Sequence, residues 1–345
     1  MSIAPGATVR VLSPEEIVAR GAGEQQPFHW PERGTVFASR AMRLRQLAGN
    51  GHTMADFLRF MADVALAQQA RLKDFPSVPV PDAAALDAAS RRGLPPIAAT
   101  DWPRDPAWHG VLSQLVAELQ AKAPPGAQPV LARLAAADAV FLERQADALL
   151  HGLNTGLDMA CAPIVAAALQ VMWTHLLLDL KAHHRGGPLT QVLGRLDDES
   201  ACPACGSPPV ASITRGSADS PGQRLLHCSL CSLQWHLVRI KCAHCGSDKS
   251  LAYQSLDALD SDDDGARRAA QAAVQAETCD DCGHYLKIVH TDRDPFVDPV
   301  ADDLASLTLD LLVSETGKQR HGVNLMLLFG DAPEQEQPPP DPGPP

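Results

Sequence analysis

Eight of the nine cysteines of this chain fall between residues 202 and 282, in four Cys-x-x-Cys pairs: Cys202/Cys205, Cys228/Cys231, Cys242/Cys245 and Cys279/Cys282. Two thiols on one tight loop can grip a single metal ion, and two such loops complete a tetrahedral four-sulfur site. Four loops therefore make two closed sites. Taken in sequence order, the first two loops pair and the last two pair. About 22 residues separate the loops of the first site and about 33 those of the second, against roughly 15–20 in the commonest zinc spacing. Four sulfurs suit zinc and iron alike. Zinc would be redox-silent there, whereas iron could pass one electron or be lost to oxygen. A closed site of this kind commonly only staples a small fold together.

The residues around the loops fit metal knuckles. Gly206, Gly246 and Gly283 follow the second cysteine of three loops, where the backbone must turn back with a positive φ that glycine tolerates. Ser232 holds that position in the second loop, which makes it the least typical knuckle. Pro203 stiffens the first. Alternating apolar residues follow the second loop (Leu233, Trp235, Leu237, then Val238 and Ile240), and Leu286, Ile288 and Val289 follow the fourth. These patterns predict strands, with knuckles at the ends of short hairpins. Trp235 is expected in the core of the ribbon.

Other chemistry fits less well. A dithiol-exchange loop places one thiol of lowered pKa at a helix N-terminus. Here the loops precede strands, and Asp280 and Asp281 within the last pair disfavour a thiolate unless metal compensates. His227, His236, His244, His284 and His290 cluster near the knuckles. With eight thiols filling two sites they read as supporting or surface residues, His227 and His244 being fallback ligands. Cys161 lies in an apolar helix and reads as a small core residue. There is no Gly-rich phosphate loop, nucleophile elbow or zinc-protease helix, so no enzyme activity is expected.

The elements that must position these loops come from the rest of the 345 residues. Ala, Leu and Pro are heavily used, which favours helices broken by proline-rich loops. Helices are predicted at Val36–Ala48, at Met54–Leu72 capped by Thr53, weakly at 83–92, and at about 106–122, 129–150 and 158–182. The Gly186-Gly187-Pro188 run stops the last of them. A short helical patch is expected near 14–19. Between the third and fourth knuckles an acidic loop (Asp260 to Asp264, then Gly265) precedes an Ala-rich helix up to Ala276. A further helix is predicted over Pro299–Val313 with Val300, Leu304, Leu307 and Leu311 on one face. The tail from Asp331 is proline- and acid-rich and predicts disorder.

The fold class predicted is multidomain: an N-terminal all-helical domain, then two small rubredoxin-like or zinc-ribbon modules of four cysteines each, and a C-terminal helix. The expected domains are 1–187 (helical), 188–240 (first ribbon), 241–298 (second ribbon), 299–330 (C-terminal helix packed on the body) and 331–345 (tail). The formal net charge is −12. The cysteine-rich part is acidic too, so nucleic acid and anionic membranes are poor partners. The N-terminus shows no signal peptide, and the apolar stretch from Ala160 to Leu180 is interrupted by Gln170, His175 and Asp179. A cytoplasmic protein is expected, in which thiols stay reduced and bind metal rather than form disulfides.

Several segments together resemble the formate dehydrogenase accessory protein FdhE family. They are Cys202-Pro-Ala-Cys-Gly-Ser-Pro-Pro-Val210, Leu226-His-Cys-Ser-Leu-Cys-Ser-Leu-Gln-Trp-His236, the run from Val238 to Cys245, and Cys279-Asp-Asp-Cys-Gly-His-Tyr-Leu-Lys-Ile288. Asp294-Pro295 and Val300-Ala-Asp-Asp-Leu-Ala-Ser-Leu307 follow the same pattern. The likeness is dense over 200–310. It is looser in the helical half, where Pro27-Phe28 and Phe37-Ala-Ser-Arg-Ala-Met-Arg-Leu44 fit. The resemblance implies a cytoplasmic maturation factor for respiratory formate dehydrogenase that binds the catalytic subunit. It also implies two rubredoxin-like sites with iron favoured and zinc possible, the eight paired cysteines being the ligands. The alternatives are a rubredoxin-type electron carrier and a zinc-ribbon nucleic-acid binder. The acidic loop and the tail look peculiar to this chain.

Overall fold

The computed structural model describes residues 27–49, 51–184, 193, 198–217, 220–256 and 271–328. The helical patch near 14–19, the acidic loop and the tail lie outside them. Helices fill the first half: α1 (Val36–Ala48), α2 (Ala55–Lys73), α3 (Ala83–Arg91), α4 (Ala107–Gln120), α5 (Gln128–Ala135), α6 (Ala139–Leu150) and α7 (Ala162–His183). α7 is long and apolar enough to span a bilayer by length and composition. Packing gives it another role: 83% of its most apolar window is buried inside the protein, and α2, α4 and α6 pack against it.

Four boundaries differ from the sequence expectation. The helix expected over 129–150 is two, because Asp138 accepts the Phe141 N–H at 2.7 Å and starts α6 afresh. Thr53 does not cap α2; Met54 holds the cap position, with its N–H donated to His52 Nδ1 at 3.1 Å. The Ala-rich helix cannot reach Ala276, since Val274–Cys279 is a strand. The C-terminal helix divides into α8 (Pro299–Ala305) and α9 (Leu307–Glu315). There the buried Lys287 ammonium takes the Asp303 carbonyl at 2.6 Å and Ser306 Oγ at 3.0 Å, drawing that turn out of helix. Leu311 consequently leaves the buried face and is 58% exposed.

One sheet serves both cysteine modules. Its strands are β1 (Phe28–His29), β2 (Pro209–Ser217), β3 (Ser220–Cys228), β4 (Gln234–His236), β5 (Leu251–Gln254), β6 (Val274–Cys279), β7 (His284–His290) and β8 (Gln319–Arg320). The order is β1-β4-β3-β2-β7-β6-β5, with β8 also on β7. Hairpin neighbours are antiparallel. The modules join where β2 runs parallel to β7, Ser212 opposite Ile288 and Thr214 opposite His290. As expected, the second knuckle sits between β3 and β4 and the fourth between β6 and β7.

Buried ion pairs fasten α1 to α8 and the turn before it. Arg43 on α1 grips Asp302 of α8 through Nε at 3.0 Å and Nη2 at 2.7 Å, and also Asp294 at 2.8 Å. Arg40 lies 3.5 Å from Asp298. Two segments of the resemblance, Phe37–Leu44 and Val300–Leu307, are thus direct partners through Arg43 and Asp302. A second network surrounds Lys287, which meets Asp303 at 2.9 Å and Asp310 at 2.6 Å. Arg320 meets the same two carboxylates at 2.7 and 3.1 Å. Burial alone would raise the Asp303 carboxyl, but Lys287 and Arg320 hold it below its ordinary value. Removing one partner of such a network strands the others' charge. Asp303→Ala is expected to lower unfolding stability by roughly 3–5 kcal/mol, read as a lower urea midpoint.

Candidate metal centres

The eight thiols gather into two groups of four, paired as their order in the chain suggested. Within Cys202, Cys205, Cys228 and Cys231 the sulfurs lie within 4.8 Å of one another, as they do within Cys242, Cys245, Cys279 and Cys282. Across loops the Sγ–Sγ distances are 3.6 Å (Cys202–Cys231) and 3.5 Å (Cys205–Cys228) in the first group. They are 3.8 Å for Cys242–Cys282 and for Cys245–Cys279 in the second. A disulfide would need about 2.05 Å. A tetrahedron with metal–sulfur bonds of about 2.3 Å has edges of about 3.8 Å. Donor set and spacing both fit a four-thiolate metal ion.

Each knuckle is built the same way. After the cysteine pair, the Gly206, Gly246 and Gly283 N–H groups return to the carbonyls of Cys202, Cys242 and Cys279 at 2.8, 3.0 and 3.0 Å. All three glycines have φ between 71° and 76°. Ser232 adopts the same turn at φ 62°, and among the described residues it is the one non-glycine with positive φ. The turn aims main-chain donors at sulfur. Leu230 and Cys231 N–H reach Cys228 Sγ at 3.4 Å, and His244 N–H reaches Cys242 Sγ at 3.4 Å. Such donors favour thiolate.

The thiols of each group are shifted in opposite directions. Burial pushes the Cys202 and Cys231 thiols well up, while hydrogen bonds from neighbouring thiols hold Cys205 well down against its own burial. In the second group burial pushes Cys242 up and Cys282 up to about 12, and the Ser247 N–H leads in holding Cys245 down. A coordinated cation would favour the thiolate form against that burial.

The two centres differ in setting. The first four cysteines are no more than 1% exposed and belong to the main core. The helical half clasps them. Ile97 N–H donates to the Ala204 carbonyl at 3.0 Å and Ala99 N–H to that of Cys205 at 2.8 Å. From inside α7, Gln170 Nε2 reaches the Ser229 carbonyl at 2.7 Å while its Oε1 accepts from Gln68 at 2.9 Å. In the second centre Cys279 and Cys242 are buried, but Cys282 is half-buried and Cys245 exposed.

The remaining candidates sort plainly. Cys161 is buried core, and burial aided by Asp158 pushes its thiol up to about 12. Trp235 is buried, with Nε1 on the Glu199 carbonyl at 2.9 Å. His227 is buried beside Gln234, its Nδ1 3.0 Å from Nε2, and joins no ligand group. His290 contacts Gln275 across β6 and β7 at 3.0 Å. His244 and His284, by contrast, stack on each other beside Cys282. His321 joins them from a segment remote in sequence, with no spacing to announce it. The sign of Gln170 in the sequence was an amide interrupting an apolar helix, which does not name its partner.

Three family models match in tandem: "FdhE, N-terminal" over residues 25–187, "FdhE, central domain" over 201–239 and "FdhE, C-terminal domain" over 240–327. The FdhE homolog of Pseudomonas aeruginosa is 40% identical over 320 residues, covering 93% of this chain and 98% of the relative. That of Klebsiella pneumoniae (strain 342) is 37% identical over 329 residues, covering 94% and 99%. The crystal structure of the P. aeruginosa FdhE protein superposes with a TM-score of 0.73 at 39% identity, covering 87% of this chain and 98% of that one.

The difference in setting should be visible as metal is withdrawn. Full-length protein loaded with metal is expected to lose it to a chelator in two phases, the fast one absent in Cys245→Ser. Cys202→Ser should lower the melting temperature more than Cys245→Ser, because the first centre anchors the helical half. A single phase, or equal melting losses, would contradict this.

Proposed function

The chain belongs to the FdhE family, and from that premise we propose that it is a cytoplasmic accessory protein that brings respiratory formate dehydrogenase to activity by binding its catalytic subunit. The eight paired cysteines are its metal ligands, with iron favoured and zinc as the alternative. The observation that carries this reading is the pair of saturated four-sulfur groups set in a frame that matches the family from residue 25 to residue 327. Four thiolates leave no coordination position for a substrate, which suits holding and recognition rather than catalysis.

Named residues supply the parts of that role. Cys202, Cys205, Cys228 and Cys231 close a buried centre that fixes the helical half against the sheet through Ala204, Cys205 and Ser229. Cys242, Cys245, Cys279 and Cys282 present a second centre at the surface. When bound, a metal supplies a fixed tetrahedral cross-link and, if it is iron, a one-electron couple. The net charge of −12 suits a client with basic patches, and complementary charge steers such encounters. The domain bounds 1–187, 188–240, 241–298 and 299–330 remain part of the proposal, with α8 and α9 serving as the brace.

One observation favours a second reading, electron transfer of the rubredoxin kind. Cys245 is exposed and Cys282 half-buried, so an electron would have a short path to a partner. That reading requires iron with a reversible one-electron couple, and zinc in protein purified without oxygen would sink it.

The main reading is tested by co-expressing the tagged chain with a formate dehydrogenase catalytic subunit without oxygen and measuring co-purification. Cys228→Ser and Cys279→Ser should each release one metal ion and weaken recovery of the subunit, with less formate dehydrogenase activity in the cells. If metal is lost while the subunit still binds and matures normally, the centres are dispensable. If the intact protein recovers no subunit, the client is wrong.

A further inference from the structure

A third ligand group adjoins the second centre. One ring nitrogen each of His244 and His284 and the sulfur of Cys282 lie within 4.8 Å of one another. The two rings are nearly parallel, 11° apart, with centroids 3.7 Å apart. His284 Nδ1 lies 2.9 Å from the Cys282 carbonyl. A carbonyl can only accept, so Nδ1 carries the proton and Nε2 keeps its lone pair. Fixing one ring nitrogen in this way is how proteins ready the other for a metal. His321 stands edge-on to His244 at 5.0 Å, and its Nε2 has no hydrogen-bond partner. Its main-chain N–H is tied to the Tyr285 carbonyl at 2.9 Å, so the ring is held in place.

We propose that His244, His284 and Cys282 form a transfer site through which a divalent cation of the Fe2+ or Zn2+ class passes between solvent and the second four-sulfur centre. This rests on the reading of that centre as a metal site. Imidazole and thiolate together suit these ions. Because the stacked rings are parallel, their in-plane lone pairs do not converge, so the ion is held by Cys282 and one imidazole at a time with water completing its shell, a labile set where four thiolates make a closed one. Cys282 belongs to both groups. An ion held by the histidines therefore already has one of its final ligands. It moves inward by exchanging imidazole and water for the sulfurs of Cys242, Cys245 and Cys279, whose protons go to solvent. The path opens where the cluster does, since Cys282 is half-buried and His244 exposed, whereas Cys279 is covered. Among the described residues the first centre has no histidine in a ligand group, so it serves as an internal control.

The experiment is rapid mixing of metal-free full-length protein with Co2+, whose sulfur-to-cobalt absorption reports how many thiolates bind it. Variants are His244→Ala, His284→Ala and His284→Asn. The asparagine amide keeps a donor for the Cys282 carbonyl and removes only the outward nitrogen, so it guards against a folding defect. In the intact protein, an early species with weak sulfur absorption should precede the full second-site band. In the variants that species should vanish and second-site loading should slow about tenfold or more. The first-site phase and the final two ions per chain should not change. Unchanged second-site loading in His284→Asn and His244→Ala would overturn the proposal and leave the rings as packing. Intact protein that takes up fewer than two ions would instead remove the metal centre itself, and the transfer site with it.

Discussion

Everything in this fold depends on bringing four thiols together where water cannot screen them. Ionised, four such groups repel one another and lose their hydration; protonated, they fill the core with weak donors. A divalent cation resolves the conflict, and even then two negative charges remain in excess. The knuckle turn answers that excess by aiming main-chain N–H groups at sulfur, as Leu230 and Cys231 do toward Cys228. Only a backbone with positive φ closes the turn, which is why glycine recurs at 206, 246 and 283. An ion in the first centre would add its binding free energy to that of folding.

The helical half is tied to that centre through main-chain carbonyls of the knuckles, not through the ligands. The Ala204, Cys205 and Ser229 carbonyls each accept from a distant helix or loop. If the first site emptied, the thiols would spread and those acceptors would turn away. The Gln170 amide N–H would then be left in an apolar core, where an unpaired polar group costs about 1–3 kcal/mol. A local four-thiol group is thus tied into a long-range frame. The second centre lies outside the main core and is tied instead to the C-terminal segment, where the Gln319 N–H meets the Gly283 carbonyl at 2.8 Å.

The ligand sets were legible in the sequence because the spacing within each Cys-x-x-Cys loop is a local property, and so were the knuckle glycines and the α1 boundaries. Features set by contact across the chain were not. The Pro299–Val313 periodicity is that of one helix, yet Lys287, a strand residue, takes the carbonyl that would continue it. The Arg43 and Asp302 motifs were both visible, but nothing in either names the other as its partner. The parallel β2–β7 pairing that fuses the two ribbons into one sheet has no turn to announce it. His321 has no Cys-x-x-Cys neighbour, so spacing gives no hint that it faces His244. Asp138 is the exception: an Asp ahead of an apolar run signals a helix start, and the signal was simply outweighed by the longer pattern.

The buried charge network also explains which side of the second centre is open. Arg320 is fixed by Asp303 and Asp310, and its neighbours in the chain are thereby laid along the fourth knuckle. Lys318 Nζ meets the Cys279 carbonyl at 3.2 Å and Asp280 at 2.5 Å, and the Gln319 N–H meets the Gly283 carbonyl at 2.8 Å. This strap covers Cys279 and places His321 beside His244. It does not cover Cys245, whose loop meets the fourth knuckle through Ser247 and Asp281. The same ion pairs that brace the C-terminal helices therefore leave Cys245 exposed and Cys282 half-buried, and the two stacked imidazoles stand beside Cys282.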